Sequence, residues 1–274
     1  MKNIYNLDGK TVVITGGTGM LGKKHAEVIC ELNGMPIILD VNEEKIENVV
    51  DDLIRDHGPA YGLVADITNE ESILNACKVI LKKYKSIDVL INNAALTVRG
   101  VSNRATEFFL PLEEYPIEIW EEMLSVNLTG HFICSKVFGK EMIKNNSGNI
   151  INISSEIGLI SPDQRIYEGI KNPYSDGPLN NPPGYSATKA GLIYMTKYLA
   201  SFWGKYNVRV NALCPGGVYD GHDARFVSNY SRLVPMDRMA GKDEYKAAIG
   251  FLSSNASSYM TGGVLVIDGG KTCW

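Results

Sequence analysis

The sequence is short of cysteine, has no long apolar run and carries no surplus of either charge. Its five cysteines (Cys30, Cys77, Cys134, Cys214 and Cys273) are odd in number, widely scattered and never spaced as C-x-x-C. That pattern argues against a disulfide framework and against a zinc site. It predicts reduced thiols in a cytoplasmic protein with no metal. No apolar run approaches the ~18 residues that a membrane span needs. Met1 to Lys10 is polar and leads straight into an apolar run, so neither a membrane partner nor a signal peptide is expected. The 27 basic and 31 acidic residues leave a net charge of −4 with no basic tract. Nucleic acid is therefore not expected as a partner. Internal repeats, low-complexity stretches and linker-like composition shifts are also missing from the 274 residues, which predicts one domain, 1–274.

What is present is a regular alternation. Short Val- and Ile-rich runs occur at Thr11–Thr15, Ile37–Asp40, Leu63–Ala65, Val89–Asn92, Ile150–Ser154, Val208–Leu213 and Val264–Ile267. They are continuously apolar, as expected of parallel strands covered by helices on both faces. Between them lie segments of helical period: Lys23–Leu32, Glu43–His57, Glu70–Tyr84, Glu118–Lys144, Ala187–Tyr206 and Lys242–Ser253. The alternation predicts an α/β fold, a doubly wound (Rossmann) parallel sheet of seven strands. Residues 159–184, rich in proline, and 218–238, after a Pro-Gly-Gly turn, break the rhythm. Both follow the carboxyl ends of strands, where open α/β sheets bind ligands, and are expected to be substrate-side loops.

The first strand runs into Thr15-Gly16-Gly17-Thr18-Gly19-Met20-Leu21-Gly22 and then a helix. Glycines at such a turn let backbone N–H groups approach a pyrophosphate, and the helix N-terminus favours its charge. Gly16, Thr18, Gly19, Met20, Leu21 and Gly22 are thus candidate cofactor contacts. The second strand ends in Asp40, an acid suited to the ribose hydroxyls of NAD and hostile to the 2′-phosphate of NADP. The alternative is that Asp40 only caps the next helix. Asp66, with Ile67 beside it, either meets the adenine or caps the Thr68–Asn69 turn. Small residues at Asn93-Ala94-Ala95, after the fourth strand, would let a cofactor lie close to the backbone.

Tyr185-Ser186-Ala187-Thr188-Lys189 opens a helix, which sets Tyr185 and Lys189 one turn apart on one face. An ammonium near a phenol favours the phenolate and lowers its pKa. Alone, the pair could be a solvated surface feature. Ser155, after the fifth strand, and Asn127, within Glu118–Lys144, complete a set of four catalytic candidates.

Together these residues resemble the tetrad of the short-chain dehydrogenase/reductase family, in its short single-domain type. The resemblance runs from Thr11 to Gly270 and includes Asn92-Asn93-Ala94-Ala95, Asn152-Ile153-Ser154-Ser155, Pro215-Gly216-Gly217 and Asp268-Gly269-Gly270. It implies Tyr185 as general acid/base and Ser155, rather than Ser154, holding the substrate oxygen. Lys189 would bind the nicotinamide ribose and lower the tyrosine pKa, and Asn127 would anchor a water. Tyr185, Lys189, Pro215, Gly216 and Val218 would join the cofactor site, NAD being favoured over NADP. A homodimer or homotetramer is implied, paired through the helices matching Glu118–Lys144 and Ala187–Tyr206.

Two features depart from that family's short members. Met20 stands where they place a second glycine, a spacing found in longer relatives that carry a second domain. Ser155 and Tyr185 are 30 residues apart, more than the dozen or so that is usual. The added segment is polar, which points to a sugar or sugar derivative rather than a steroid or fatty chain, and bacterial surface-sugar and flagellin-modifying relatives look similar there. Arg99, Arg104, Arg165, His222 and Arg225 are candidates for an anionic group on the substrate. The expected function is an NAD-dependent interconversion of a secondary alcohol and a ketone. A 3-oxoacyl thioester reductase and a non-catalytic dinucleotide-binding sensor or scaffold are the alternatives.

Overall fold

The computed structural model describes residues 4–98 and 104–274. In chain order the elements are β1 (Thr11–Thr15), α1 (Met20–Glu31), β2 (Met35–Asp40), α2 (Glu43–Asp56), β3 (Tyr61–Val64), α3 (Glu70–Tyr84) and β4 (Val89–Asn92). Then come α4 (Ala105–Phe108), α5 (Ile117–Leu124), α6 (His131–Lys144), β5 (Gly148–Ile153), α7 (Pro183–Trp203), β6 (Val208–Pro215), α8 (Ala224–Ser231), α9 (Lys246–Ser253) and β7 (Val264–Ile267). All seven strands are parallel, in the order β3-β2-β1-β4-β5-β6-β7. The winding reverses between β1 and β4, so a crevice opens beyond their carboxyl ends.

Two cores explain why the strand runs are apolar throughout. On one face Val13, Ile37, Leu90, Ile150 and Val210 pack with Ile73, Ile80, Phe138, Leu199 and Trp203 of α3, α6 and α7. On the other, Val12, Ile14, Ile38, Ile91 and Leu213 pack with Ile29, Ile46, Leu53, Ile249 and Leu252 of α1, α2 and α9. Alternate residues of one strand therefore serve opposite cores. Buried polar bonds fasten the middle of the sheet to its helices. Asn92 Nδ2 donates to Asn152 Oδ1 at 2.8 Å and to Ser135 Oγ at 2.9 Å, and Asn152 Nδ2 donates to Thr196 Oγ1 at 2.9 Å.

The structure corrects several expected elements: the helix expected over Ala187–Tyr206 runs Pro183–Trp203, and the loop 218–238 contains α8. β3 ends at Val64, so Asp66 lies beyond the strand. The last long helix begins at Lys246 rather than Lys242. The stretch Glu118–Lys144 is not one α-helix: α5 and α6 are joined by a π-helical turn over Ser125–Gly130. At Gly130 the wider turn presses against the Ile67 side chain, which would lie 2.7 Å from any Cβ added there.

Candidate active site

The glycine loop closes against the end of β4. Gly16 has φ +60°, and a Cβ there would fall 2.6 Å from Ala94 Cα. A Cβ on Gly22 would fall 2.4 Å from the Gly16 carbonyl oxygen. Asn93 Nδ2 donates to the Thr15 and Gly16 carbonyls, both at 3.0 Å, while Thr15 Oγ1 accepts from the amides of Asn93 and Ala94. Gly19, by contrast, has φ −71° and ψ 168°, open to any residue. Local strain does not demand glycine there, which leaves room for close approach of a ligand as its use. Met20 is the first helical residue, so its departure from the usual spacing puts no side chain into the turn itself.

The start of α1 is prepared for an anion. α2 and α3 are capped by the side chains of Asn42 and Asn69 and carry Glu43, Glu44, Glu70 and Glu71 in their first turns. α1 has no side-chain cap and no acid in its first turn. Its leading N–H groups and positive end thus remain available to a phosphate. Asp40 does not cap α2, since Asn42 does. Its carboxylate is drawn onto the glycine loop instead, with Oδ2 accepting from Thr18 Oγ1 at 2.6 Å and from the Thr18 amide at 3.3 Å. Asp66 is exposed and accepts from the Thr68 amide at 2.8 Å and hydroxyl at 2.7 Å, which is the capping alternative. Ile67 is buried against the π turn. On the far side of the crevice Pro215 ends β6, the Gly216 amide donates to Ile267, and Val218 bridges to Ala240. These residues fit a dinucleotide.

The four catalytic candidates come from three places. Ser155 lies just past β5, Tyr185 and Lys189 lie in the first turns of α7, and Asn127 lies in the π turn. Lys189 is 2% exposed, and its Nζ donates to the Ile153 carbonyl at 2.8 Å and lies 5.4 Å from the centre of the Tyr185 ring. Burial pulls its pKa down to about 8. Ser154 Oγ donates to the Lys189 carbonyl at 2.7 Å, tying α7 to β5 and leaving Ser155 as the serine of the site. Asn127 accepts from the Leu96 amide at 2.6 Å, while its Nδ2 is buried with no partner among the described residues, a setting in which water is held. One expectation is reversed: the Tyr185 pKa is raised, by burial first and by the Glu156 carboxylate second, with the Ser155 hydroxyl opposing. Lys189 directs a hydrogen bond to the Ile153 carbonyl, and burial sets the direction of the shift at the phenol.

The substrate-side residues are placed differently from expectation. Arg99 lies outside the described residues. Arg165 is 80% exposed at its side chain and forked onto Asp163, whose pKa falls to about 2 beside it. Arg225 donates to the Gly169 carbonyl at 2.9 Å, and Asn229 to that of Ile166 at 3.1 Å, so the two substrate-side loops are joined. Arg104 is paired with Glu107 and Glu122. Nor is the insertion's polarity left for substrate alone. Asn172 bonds Pro178 and the Tyr174 amide, Asn180 bonds Phe109, and the Gln164 side chain donates to the Asn181 carbonyl and accepts from the Asn181 amide, which orders the segment.

Comparison with known proteins decides the family. A family model described as short chain dehydrogenase matches residues 10–171, and one described as enoyl-(acyl carrier protein) reductase matches 175–272. The chain belongs to the short-chain dehydrogenase family. It is an NAD(P)-dependent oxidoreductase acting on CH–OH groups. An NAD-dependent glycerol dehydrogenase of Listeria innocua is 30% identical over 98% of this dehydrogenase and 96% of its own length. A 3-oxoacyl-[acyl-carrier-protein] reductase of Aquifex aeolicus is 32% identical over 96% and 98%. An NAD+-bound xylitol dehydrogenase superposes with a TM-score of 0.83 at 26% identity, covering 96% of this chain and 99% of that one. A gluconate 5-dehydrogenase from Burkholderia cenocepacia, in complex with NADP and tartrate, gives 0.85 at 26%, covering 99% and 98%.

The dehydrogenase also holds a group that sequence reasoning missed. Glu156, 4% exposed, accepts from Ser155 Oγ at 2.7 Å, from Tyr230 Oη at 3.1 Å and from Lys271 Nζ at 3.2 Å. Its partners are 74 and 115 residues away, so no local pattern announces them.

Proposed function

We propose that this dehydrogenase is NAD-dependent and interconverts a secondary alcohol and a ketone on a polyol or sugar derivative. The observation that carries the reading is the gathering of Tyr185, Ser155, Lys189 and Asn127 beside a glycine loop against which Asp40 is fixed. The nicotinamide, when bound, supplies or accepts the hydride. Tyr185, protonated at neutral pH, gives its proton to the ketone oxygen in reduction and recovers it in oxidation. Ser155 lies against that oxygen and accepts from it in the alcohol form, Lys189 holds the ribose, and Asn127 the water through which the proton is exchanged. Gly16, Gly19, Gly22 and the uncapped start of α1 take the pyrophosphate. Asp40 takes the ribose hydroxyls and repels a 2′-phosphate. The cofactors named for the Listeria relative and the xylitol dehydrogenase support NAD, and their substrates support a polyol.

The Aquifex relative supports a second reading, reduction of a 3-oxoacyl thioester. Titration of the purified protein with NADH and NADPH, followed by a panel of polyols, sugars and acyl thioesters, separates the two. Tighter binding of NADPH, or turnover of thioesters alone, would sink the first reading. Tyr185→Phe should lower turnover by at least about a hundredfold, the usual scale of general acid catalysis, with NADH affinity within twofold of wild type.

Assembly as a homodimer or homotetramer belongs to the same proposal, supported by the exposed aromatics Phe132, Tyr194, Tyr198 and Phe202 on α6 and α7. Five free thiols, four of them buried, support a reducing compartment such as the cytoplasm.

A further inference from the structure

Ser155 has one proton and two lone pairs. In the structure that proton is committed, since its Oγ donates to Glu156 Oε2 at 2.7 Å. The carboxylate is itself held from three other elements. Tyr230 on α8 and Lys271 in the C-terminal segment both bond Oε1, and the Tyr230 hydroxyl also accepts from the Gly217 amide after β6. Lys271 lies 4.4 Å from the centre of the Tyr230 ring. Gly269 and Gly270, at φ +67° and +90°, turn the chain so that Lys271 enters this interior, and its side chain is 5% exposed. A buried ion pair is costly to assemble and, by itself, weak grounds for stability. Its location against the catalytic serine asks for another use.

We propose that Glu156, clamped by Lys271 and Tyr230, is a positioning residue. It takes the Ser155 proton, so Ser155 offers a lone pair to the hydroxyl hydrogen of the substrate alcohol or of the Tyr185 phenol, and Tyr185 is left as the donor to the ketone oxygen. In the alcohol complex Ser155 then accepts from the substrate hydroxyl or from Tyr185, whichever holds the proton. The same carboxylate faces Tyr185 on α7, Tyr167 in the inserted segment, Cys214 on β6, Tyr230 on α8 and Tyr245 before α9; burial raises the pKa of each, and the carboxylate adds to the rise. Lys271 is the cation facing it, with Asp163 in turn within the field of that lysine. Glu156 thereby keeps Tyr185 in its acid form, the form that ketone reduction uses.

The inference rests on Tyr185 being the acid/base, so Tyr185→Phe is run alongside. Steady-state oxidation and reduction are measured from pH 6 to 10 for wild type, E156Q, S155A and E156Q/S155A, with NADH affinity by fluorescence titration. E156Q should move the limb on which oxidation rises with pH to lower pH by about one unit, the scale of a nearby charge. Its kcat should fall about tenfold, with KM and NADH affinity within twofold. In the S155A background the same change should cost less than twofold more, because Glu156 acts through Ser155. If E156Q leaves Lys271 unpaired and fails to fold, E156Q/K271M removes both charges and should show the same displaced limb. An unmoved limb together with multiplicative losses in E156Q/S155A would reduce Glu156–Lys271 to a structural pair. A rise confined to KM would mean that Glu156 contacts substrate. If Tyr185→Phe is inactive while E156Q behaves as wild type, only this inference fails. If Tyr185→Phe stays active, the reading of the site fails with it.

Discussion

In the proposed reading Asp40 meets the ribose position at which NAD and NADP differ, and its carboxylate is fixed by the Thr18 hydroxyl. Replacing it with serine keeps an acceptor for Thr18 and removes the charge. Asp40→Ser should raise the ratio of NADPH to NADH affinity at least about tenfold, equivalent to 1.4 kcal/mol, as read by titration with each nucleotide. The pH dependence of turnover belongs to Tyr185. With its pKa raised above the ordinary value of 10.0, the phenolate is scarce at neutrality and gains about tenfold per pH unit. Oxidation of alcohol should therefore still be climbing at pH 9, while reduction stays level through neutral pH; a plateau of oxidation by pH 8 would contradict the raised pKa. The positions of Asp40, Ser155, Tyr185 and Lys189 were legible because each stands at a strand end or at a fixed helical spacing, whereas Asn127 was read from the family resemblance alone. Glu156 was not legible, since one glutamate beside a serine carries no signal until Lys271, 115 residues on, is brought against it.

At the scale of elements, apolar runs located all seven strands, because burial on both faces of a parallel sheet leaves few polar interruptions. The π turn escaped. A 3.6-residue pattern cannot register one extra residue per turn, although such turns gather at functional sites, and this one carries Asn127. The polarity of the insertion has a second use that the sequence does not separate from the first. Asparagines that bond loop carbonyls look, in sequence, the same as asparagines offered to a sugar. Helix α1 carries a different liability. His25 is wholly buried, neither ring nitrogen has a partner, and burial lowers its pKa from 6.5 to about 3. The unfolded chain takes up a proton below pH 6.5 that the folded one refuses, so stability is lost as pH falls from about 6.5 toward 3. At pH 5 the single site costs about 2 kcal/mol relative to pH 8. His25→Leu should therefore raise the melting temperature, and the gain should be larger at pH 5 than at pH 8. An equal gain at both pH values would show that the histidine is not buried neutral.

On the whole molecule, the apolar residues left outside the two cores are not scattered evenly. α7 presents Tyr194, Tyr198 and Phe202 at intervals of four, 72%, 57% and 60% exposed, with the rings of Tyr198 and Phe202 stacked at 6.0 Å. Phe132, on α6, is 49% exposed. Spacing of four sets the α7 side chains in one stripe along one helix face. That stripe lies on the element whose first turns carry Tyr185 and Lys189 and whose inner face is fastened to β5 through Ser154 and Thr196. Burying it against a second copy would remove aromatic surface from water and also restrain the helix that fixes the distance from Tyr185 to Ser155. Charge placed in the stripe should then act at a distance. Tyr198→Asp should shift the protein to the monomer mass in size-exclusion chromatography with light scattering. It should lower kcat more than NADH affinity, because the proposed pyrophosphate and ribose contacts, the glycine loop and Asp40, lie at the ends of β1 and β2, away from α7. A wild-type protein that runs as a monomer, or a Tyr198→Asp monomer of full activity, would separate assembly from catalysis and leave the stripe without that role.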